Sequence, residues 1–343
     1  MNRKDIEFIL DRLIEPFDQK VTLTYVKDRN ILVTGAGGSI GKELSVQILK
    51  LKPKRLILLD VSEFATYEIM RKLDKINVSK IEILPIVGSI LDEDLVNTLF
   101  EQHNVHYVFH SAAYKHLGLM ETNQTSAFKN NSLGTYIIAK AAIKYGVEYF
   151  TLISTDKAVE PICAMGKSKK LAEQICLALN SESKTNFKIV RFGNIFNSNG
   201  SVIPLFIEQI DEGGPVTITS PDVFRYFIVI EEAVQLVLLS MELKEETGIF
   251  MLDMGKEVNI LNLAKRLINL KGFNPIFNLD NKKSNKDILI KFIGLKTNEK
   301  LHEKLSEENK YETTAHPRIL KVGAERENFK IEELINEIKK LIV

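Results

Sequence analysis

From Asn30 onward the chain alternates continuous apolar runs with amphipathic stretches: ILVTG, RLILLD, IEILPIVG, HYVFHSA, YFTLIST and FKIVRFG, each followed by a segment with helical spacing. Runs of Val, Ile and Leu that do not alternate with polar residues belong to strands buried on both faces, and helices between them predict an α/β fold with a doubly wound parallel sheet. Residues 1–29 precede this pattern. Ile6, Ile9, Leu10, Leu13 and Ile14 fall on one helical face there, which predicts a helical extension packed on the domain or on a partner chain. After Gly193 the order is less regular. Helices are predicted near Ile203 to Glu212 and Glu231 to Leu243, short strands at VTIT and GIFMLD, a loop over the lysine-rich Asp280 to Asp287, and a charged helix from Ile331. The expected organisation is an extension (1–29), a sheet domain (30–193) and a smaller C-terminal substrate-binding lobe (194–343), some of whose elements return to the main sheet.

Composition narrows the partners. Of 343 residues 45% are hydrophobic, ample for a large core, and 46 basic against 45 acidic residues leave a net charge of +1. Such a chain has no general attraction for nucleic acid or an anionic membrane, so an anionic ligand needs a local site. Cys163 and Cys176 form no ligand cluster, and a chain of this size needs no disulfide staple, which points to a reducing compartment and the cytoplasm. No apolar run reaches the ~20 residues that span a bilayer, and acids throughout the first twenty residues are unlike a signal peptide. A soluble protein without membrane contact is expected. His106 and His110 have H-x-x-x-H spacing, but on a strand four residues cover ~13 Å and cannot share one ion. No metal is expected.

The junction ILVTGAGGSIGKEL places Gly35, Gly38 and Gly41 between the first strand and the first helix. Glycine suits a tight turn where backbone approaches a pyrophosphate at a helix N-terminus, although an ordinary glycine turn has the same composition. Asp60 ends the second strand, where a carboxylate accepts hydrogen bonds from an adenosine ribose and repels a 2′-phosphate. Together they predict a Rossmann-like sheet that binds NAD rather than NADP; alone, Asp60 could be a surface aspartate. HSAAYKHLGLME follows the fourth strand. Ala112 and Ala113 permit close backbone approach, and Lys115 and His116 either reach a substrate or sit in a solvated loop.

In TLISTDKAVEPICAMGKSKKLAE, Met165 stands four residues before Lys169, on the same helix face. Many nicotinamide-dependent enzymes carry tyrosine at that place, and its oxygen moves the proton that accompanies hydride transfer. A thioether cannot. Thr155, Asp156 and Lys157 offer a hydroxyl, an acid and an amine at the strand end, but an extended backbone would send Asp156 to the opposite side from its neighbours. A joint role requires the chain to turn there.

These residues resemble the extended short-chain dehydrogenase/reductases, and within them the polysaccharide-biosynthesis UDP-N-acetylglucosamine 4,6-dehydratases. From about Lys27 to about Val322 the segments VTGAGGSIGKEL, HSAAYKHLGLME, NNSLGT, STDKAV, MGKSKKLAE, VRFGNIFNSNGSVIPLFIEQIDEGGPVTIT, RYF and GLKTNEKLHEKL occur in the family's order. Met165 is similar to the branch that keeps the C5 configuration. The resemblance implies NAD held by Gly35, Gly38, Ser39, Ile40, Gly41, Asp60, Ser89, Ile90, Ala112, Ala113, Tyr114 and Lys169. It implies that hydride leaves sugar C4, water is lost across C5 and C6, and hydride returns at C6, giving a UDP-4-keto-6-deoxy-N-acetylhexosamine.

Thr155 would hydrogen-bond the C4 oxygen, Lys157 would take the C5 proton, Asp156 would protonate the departing hydroxyl, and Met165 and Lys169 would complete the centre. Lys115, His116, Asn194, Val202, Arg225 and Glu299 would bind substrate: Asn194 near the diphosphate, Arg225 on phosphate, Glu299 on the uridine ribose. From the residues alone, Asn194 could equally cap a turn, Arg225 pair with an acid, and Glu299 begin a helix EKLHEKL. Two positions depart from the family: Ser89 replaces an acid, and Lys296-Thr297-Asn298 replaces Arg-Pro-Gly. By analogy the protein is a homo-oligomer and the soluble catalytic part of relatives that often carry a membrane region. A UDP-sugar 4-epimerase is the near alternative, disfavoured by Met165 and by the Asp-Lys pair. A non-catalytic NAD or nucleotide-sugar sensor is the other, disfavoured by the presence of Thr155, Asp156, Lys157 and Lys169 together.

Overall fold

A computed structural model describes residues 1–14, 24–243, 247–281, 284–307, 310–323 and 329–342. The six apolar runs become strands β1 (Asn30–Thr34), β2 (Arg55–Asp60), β3 (Glu82–Val87), β4 (Tyr107–His110), β5 (Tyr149–Thr155) and β6 (Asn186–Phe192). Every residue of β1 and β4 is buried, which accounts for their unbroken apolar sequences. These strands run parallel in the order β6-β5-β4-β1-β2-β3. Winding therefore reverses between β1 and β4, the place beyond whose carboxyl ends open α/β sheets hold ligands. Gly248–Leu252 extends the sheet in parallel beside β6, and Ile319–Val322 and Tyr311–Thr313 add an antiparallel edge. The expected α/β class with a doubly wound, mostly parallel sheet is the architecture found.

The helices are α1 (Arg3–Leu10), α2 (Ser39–Lys50), α3 (Glu63–Ile76), α4 (Glu93–His103), α5 (Leu117–Thr122), α6 (Gln124–Ala127), α7 (Gly134–Lys144) and α8 (Ala164–Ser181), followed by Val202–Asp211, Ile230–Ser240, Ile260–Leu270 and Ile331–Leu341. Side-chain caps fix several starts: Ser62 accepts the Ala65 N–H and Asp92 that of Leu95. A π-helical turn, Phe128–Leu133, joins α6 to α7.

Two compact units form. The larger comprises Asp18–Phe192, Ala233–Asp253 and Lys304–Val343; the smaller comprises Met1–Phe17, Gly193–Glu232 and Met254–Glu303. The core of the larger lies on the sheet, around Leu32, Ile57, Val108, Phe150 and Ile189. In the smaller, α1 supplies Ile9 and Leu10 to a core with Phe206, Phe227, Leu263 and Leu267, and Arg12 pairs with Glu232 at 2.8 Å. The N-terminal helix expected from its apolar spacing thus has its partner within the chain. The stretch Asp280 to Asp287 lies partly outside the described residues; a 3-10 turn, Leu279–Asn281, includes its first two residues and the strand Asp287–Phe292 begins at its end.

Backbone meets backbone at the winding reversal. Gly35 has φ +63°, and a Cβ there would stand 2.6 Å from the Cα of Ala112. Gly146 has a similar φ, +71°, with nothing within 4 Å of a built Cβ. Gly146→Ala should cost only the left-handed strain, ~1 kcal/mol, whereas Gly35→Ala should cost at least ~2–3 kcal/mol because the strand exits must separate. Urea unfolding of the two variants measures the difference; equal losses would show that the close approach is not rigid.

Candidate active site

The turn from β1 into α2 fits a pyrophosphate. Gly35 leaves β1 in the left-handed region, Gly38 is the N-cap residue of α2, and Gly41 lies in its first turn, where a Cβ would collide with the Gly35 carbonyl oxygen. The first N–H groups of α2, those of Ser39, Ile40 and Gly41, have no carbonyl partner inside the helix and stand at its positive end. Asp60 is fixed beside them: Oδ2 accepts the Gly37 N–H at 2.8 Å and Oδ1 that of Ser62 at 2.9 Å. Each carboxylate oxygen keeps capacity for a further hydroxyl.

After β3, Ser89 Oγ accepts the Leu91 N–H at 3.1 Å, and Ile90 is buried against Gly134, where a Cβ would lie 2.5 Å from Ile90 Cδ1. After β4 come Ala112, Ala113 and Tyr114. Tyr114 is held at both backbone groups by Asn131, whose Oδ1 accepts its N–H at 2.8 Å and whose Nδ2 donates to its carbonyl at 3.0 Å. Partial burial lowers the Lys115 ammonium, and burial and then Lys115 lower the imidazole of His116.

At the end of β5 the chain does turn. Asp156–Ala158 is a 3-10 turn, and Asp156, only 1% exposed, collects both neighbours on one oxygen: Thr155 Oγ1 donates to Oδ1 at 2.9 Å and Lys157 Nζ at 3.0 Å. Thr155 Oγ1 also accepts the Lys157 N–H at 3.3 Å, which closes the turn. Oδ2 of Asp156 is buried with no hydrogen-bond partner among the described residues. The turn packs against the start of α8, where a Cβ on Gly166 would collide with the Lys157 carbonyl. Met165, 4% exposed, packs with Met120, Ala127 and Cys163.

One turn further along α8, Lys169 Nζ donates to the Ile153 carbonyl at 2.7 Å. Burial pushes this ammonium down to about 8, opposed by Glu173 and Cys176. Glu173, four residues on, takes the guanidinium of Arg191 on β6 in a fork, Nε to Oε1 at 2.8 Å and Nη2 to Oε2 at 2.6 Å, and accepts a short hydrogen bond from Ser154.

Beneath the reversal point, Thr34 Oγ1 lies 2.7 Å from His110 Nδ1, and His110 Nε2 lies 3.0 Å from Thr135 Oγ1. Thr135 gives its proton to the Asn131 carbonyl, so Nε2 of His110 is the protonated nitrogen and Nδ1 accepts from Thr34. Asn131 Nδ2 further donates to Ser168 Oγ on α8 at 3.0 Å. His110 is thus structural, and burial followed by the charge of Lys169 holds its imidazole down to about 3.

Asn194, Val202, Arg225 and Glu299 lie in the smaller unit. Asn194 sits in a short strand, its N–H on the Tyr226 carbonyl at 2.9 Å, and Val202 begins the helix Val202–Asp211. Arg225 Nη2 meets Glu299 Oε1 at 3.2 Å, and Thr219 Oγ1 donates to the same oxygen at 3.1 Å. EKLHEKL is not helical. The Leu301 carbonyl is committed instead to the Phe224 N–H at 2.9 Å and to Arg225 Nη1 at 3.2 Å.

Residues 31–324 match the family model described as "Polysaccharide biosynthesis protein". The chain belongs to that family. It is 41% identical over 310 residues to the capsular polysaccharide biosynthesis protein CapD of Staphylococcus aureus, a match that covers 90% of this chain and 50% of CapD. The chain therefore spans about half the length of this relative. It is 34% identical over 284 residues to a UDP-glucose 4-epimerase of Rickettsia rickettsii, covering 81% and 77% of the two chains. Among solved structures it is similar to Pen from Bacillus thuringiensis (TM-score 0.75, 29% identity, 93% and 100% coverage). It shares its fold with the dTDP-glucose 4,6-dehydratase DesIV from Streptomyces venezuelae, solved with NAD bound (TM-score 0.70, 19% identity, 81% and 88% coverage). Among the described residues no helix is long and apolar enough to cross a membrane, and no group of His, Cys, Asp or Glu could hold a metal.

Sequence reasoning had not singled out Gly37, Asn131, Glu173 or Arg191. Two signals were present: Glu173 follows Lys169 by one helical turn, and Arg191 interrupts the apolar run FKIVRFG, where a charge on a buried strand calls for a buried counter-charge. No spacing pointed to Asn131, which acts from the π-helical turn.

A buried neutral His110 makes this family member acid-sensitive. As pH falls below 6.5 the unfolded chain takes up a proton that folded His110 refuses until about 3, so stability should fall by up to ~1.4 kcal/mol per pH unit in that window. His110→Asn should flatten the slope between pH 6 and 4 relative to wild type in urea unfolding. Identical slopes would mean that His110 is already protonated in the fold.

Proposed function

We propose that the protein is an NAD-dependent 4,6-dehydratase that converts UDP-N-acetylglucosamine to UDP-4-keto-6-deoxy-N-acetylhexosamine. The observation that carries this reading is the turn after β5, where a hydroxyl and an amine converge within 3.0 Å on one carboxyl oxygen, while a thioether, Met165, occupies the place of a phenol. The fit for NAD rests on the glycine cradle, the free N–H groups of α2 and the anchored Asp60. Gly35, Gly38, Ser39, Ile40 and Gly41 hold the pyrophosphate, Asp60 the adenosine ribose, Ser89 and Ile90 the adenine, and Ala112, Ala113, Tyr114 and Lys169 the nicotinamide end. When bound, NAD+ supplies the acceptor for the hydride that leaves sugar C4 and returns at C6. Lys115, His116, Asn194, Val202, Arg225 and Glu299 serve as substrate ligands and the chain as a homo-oligomer by the resemblance, and a cytoplasmic location follows from the cysteine content.

The proton chemistry falls to the turn. Thr155 hydrogen-bonds the C4 oxygen. With C4 a carbonyl, the C5 proton is acidic because its removal leaves an enolate, and a modest base suffices. Lys157 in its amine form takes that proton, and Asp156 in its acid form gives one to the C6 hydroxyl, which departs as water. The pair ends as ammonium and carboxylate. When hydride arrives at C6 the Lys157 ammonium protonates C5, and the Asp156 carboxylate is recharged through Thr155, 2.9 Å away, by the proton that the C4 hydroxyl of the next sugar gives up as its hydride leaves.

A 4-epimerase is the second reading, favoured by the name of the Rickettsia relative. It would leave the C5 hydrogen and the C6 hydroxyl untouched. Incubation with UDP-N-acetylglucosamine should yield a product lighter by one water, and turnover in deuterated water should place deuterium at C5 while the C4 hydrogen appears at C6. A product of unchanged mass without solvent label would establish the epimerase instead. Denatured protein should release NAD(H); NADP(H) alone would overturn the role of Asp60.

Loss of a positioned acid or base typically costs ~10²- to 10⁴-fold. Asp156→Asn and Lys157→Ala should each lower turnover on that scale in folded, NAD-loaded protein, and Met165→Ala, which removes only packing, should lose less. Near-normal rates in both charged-residue variants would place the chemistry elsewhere.

A further inference from the structure

We infer that Glu173 is a positioning residue whose carboxylate keeps the buried Lys169 ammonium charged and in place, with Arg191 dividing that charge. Lys169 and Glu173 lie one turn apart on the same face of α8 and hold consecutive residues of β5, Lys169 the Ile153 carbonyl and Glu173 the Ser154 hydroxyl. Arg191 stands opposite Ser154 in the β5–β6 register and forks onto the same carboxylate. All three side chains are sealed, at 4%, 1% and 1% exposure. Their charges sum to +1.

The groups that face Lys169 from neighbouring elements do little to offset it. On α8 itself Cys176 is neutral, its thiol pushed well up by burial; on β4 His110 is neutral; and in the turn after β5 Asp156 and Lys157 pair with each other. In the π-helical turn and α7, the Ser132 hydroxyl is spent on the Ser168 carbonyl and the Thr135 hydroxyl on the Asn131 carbonyl. Glu173 is the carboxylate that offsets the burial of Lys169, whose ammonium stands at about 8. Removing the carboxylate leaves two cations in the interior, and the lysine sheds its proton first because arginine does not. Removing the arginine leaves the whole carboxylate to the lysine.

The functional consequence, pH-dependent cofactor binding, rests on the reading of Lys169 as a nicotinamide-ribose ligand. The charge relation does not, and it can be read without sugar or turnover. In protein labelled at lysine Cε, with the Lys169 resonance assigned by its loss in Lys169→Arg, NMR titration reports the ammonium directly. Glu173→Gln should move the Lys169 titration down by about 1–3 units and Arg191→Met should move it up; Glu173→Gln/Arg191→Met, which removes both charges, should return it close to wild type. The pH at which NAD affinity is lost should move in the same order.

Opposite shifts that cancel are not the signature of lost packing. If Glu173→Gln does not fold, Arg191→Met and the double variant carry the comparison. An unmoved titration in either single variant, or a double variant displaced as far as Glu173→Gln, overturns the inference. Correct NMR shifts with unaltered NAD binding would instead overturn the role of Lys169 at the ribose.

Discussion

The carboxyl end of β5 is held by charges that almost no water reaches. Lys169, Glu173 and Arg191 are buried, and leaving one of them uncompensated would cost ~3–5 kcal/mol, whereas replacing such a set by apolar residues is often neutral. Stability alone therefore does not account for their presence. What they provide is geometry. Lys169 takes the carbonyl of Ile153 and Glu173 the hydroxyl of Ser154, so the two residues before the Thr155–Lys157 turn are fixed to α8 through polar contacts with defined directions. An apolar contact of the same area would fill the space without setting the rotation of the strand end, and that rotation decides where the side chains of Thr155, Asp156 and Lys157 point.

The same problem is solved differently at the carboxyl ends of β1 and β4. There the approach is made by removing side chains, at Gly35 and Gly41, and by tying the loop after β4 to Asn131 through both backbone groups of Tyr114. Asn131 also bonds Ser168 on α8 and receives Thr135, which receives His110. The loop that follows β4 and the helix that carries Met165 and Lys169 are thus positioned by one buried side chain in a π-helical turn. Such a turn widens the helix by one residue per turn and so presents a carbonyl and an amide that a regular helix would have used internally. This irregular element links the loop after β4 to α8 at the carboxyl edge of the sheet.

The sheet was legible because its central strands are buried on both faces: ILVT and YVFH have no polar face to blur the signal. The glycine turn was legible because close approach leaves no residue choice, and its spacing survives as sequence. The turn at Asp156 was only half legible. Residue types named the chemistry, but a seven-residue strand predicts alternation, and the 3-10 turn that defeats it depends on the Thr155 hydroxyl accepting the Lys157 N–H and on the missing Cβ of Gly166, a contact across nine residues. Asn131 was not legible at all. Its partners include both backbone groups of Tyr114 and the Ser168 hydroxyl on α8, and backbone groups leave no trace in residue identity.

Met165 follows from the same physics. A phenol at that position would need a hydrogen-bond partner once buried, and its neighbours Met120, Ala127 and Cys163 offer an apolar wall. The thioether fills this wall without a polar group to satisfy. In the proposed reaction the burden passes to the turn after β5, where an acid and an amine share one hydrogen bond and one carboxyl oxygen, Oδ2, is left without a partner among the described residues. A buried acceptor without a partner is costly unless something completes it. In Asp156 that atom is the one with capacity to carry the proton an elimination consumes, so the least satisfied oxygen of the site is also the one its chemistry would use.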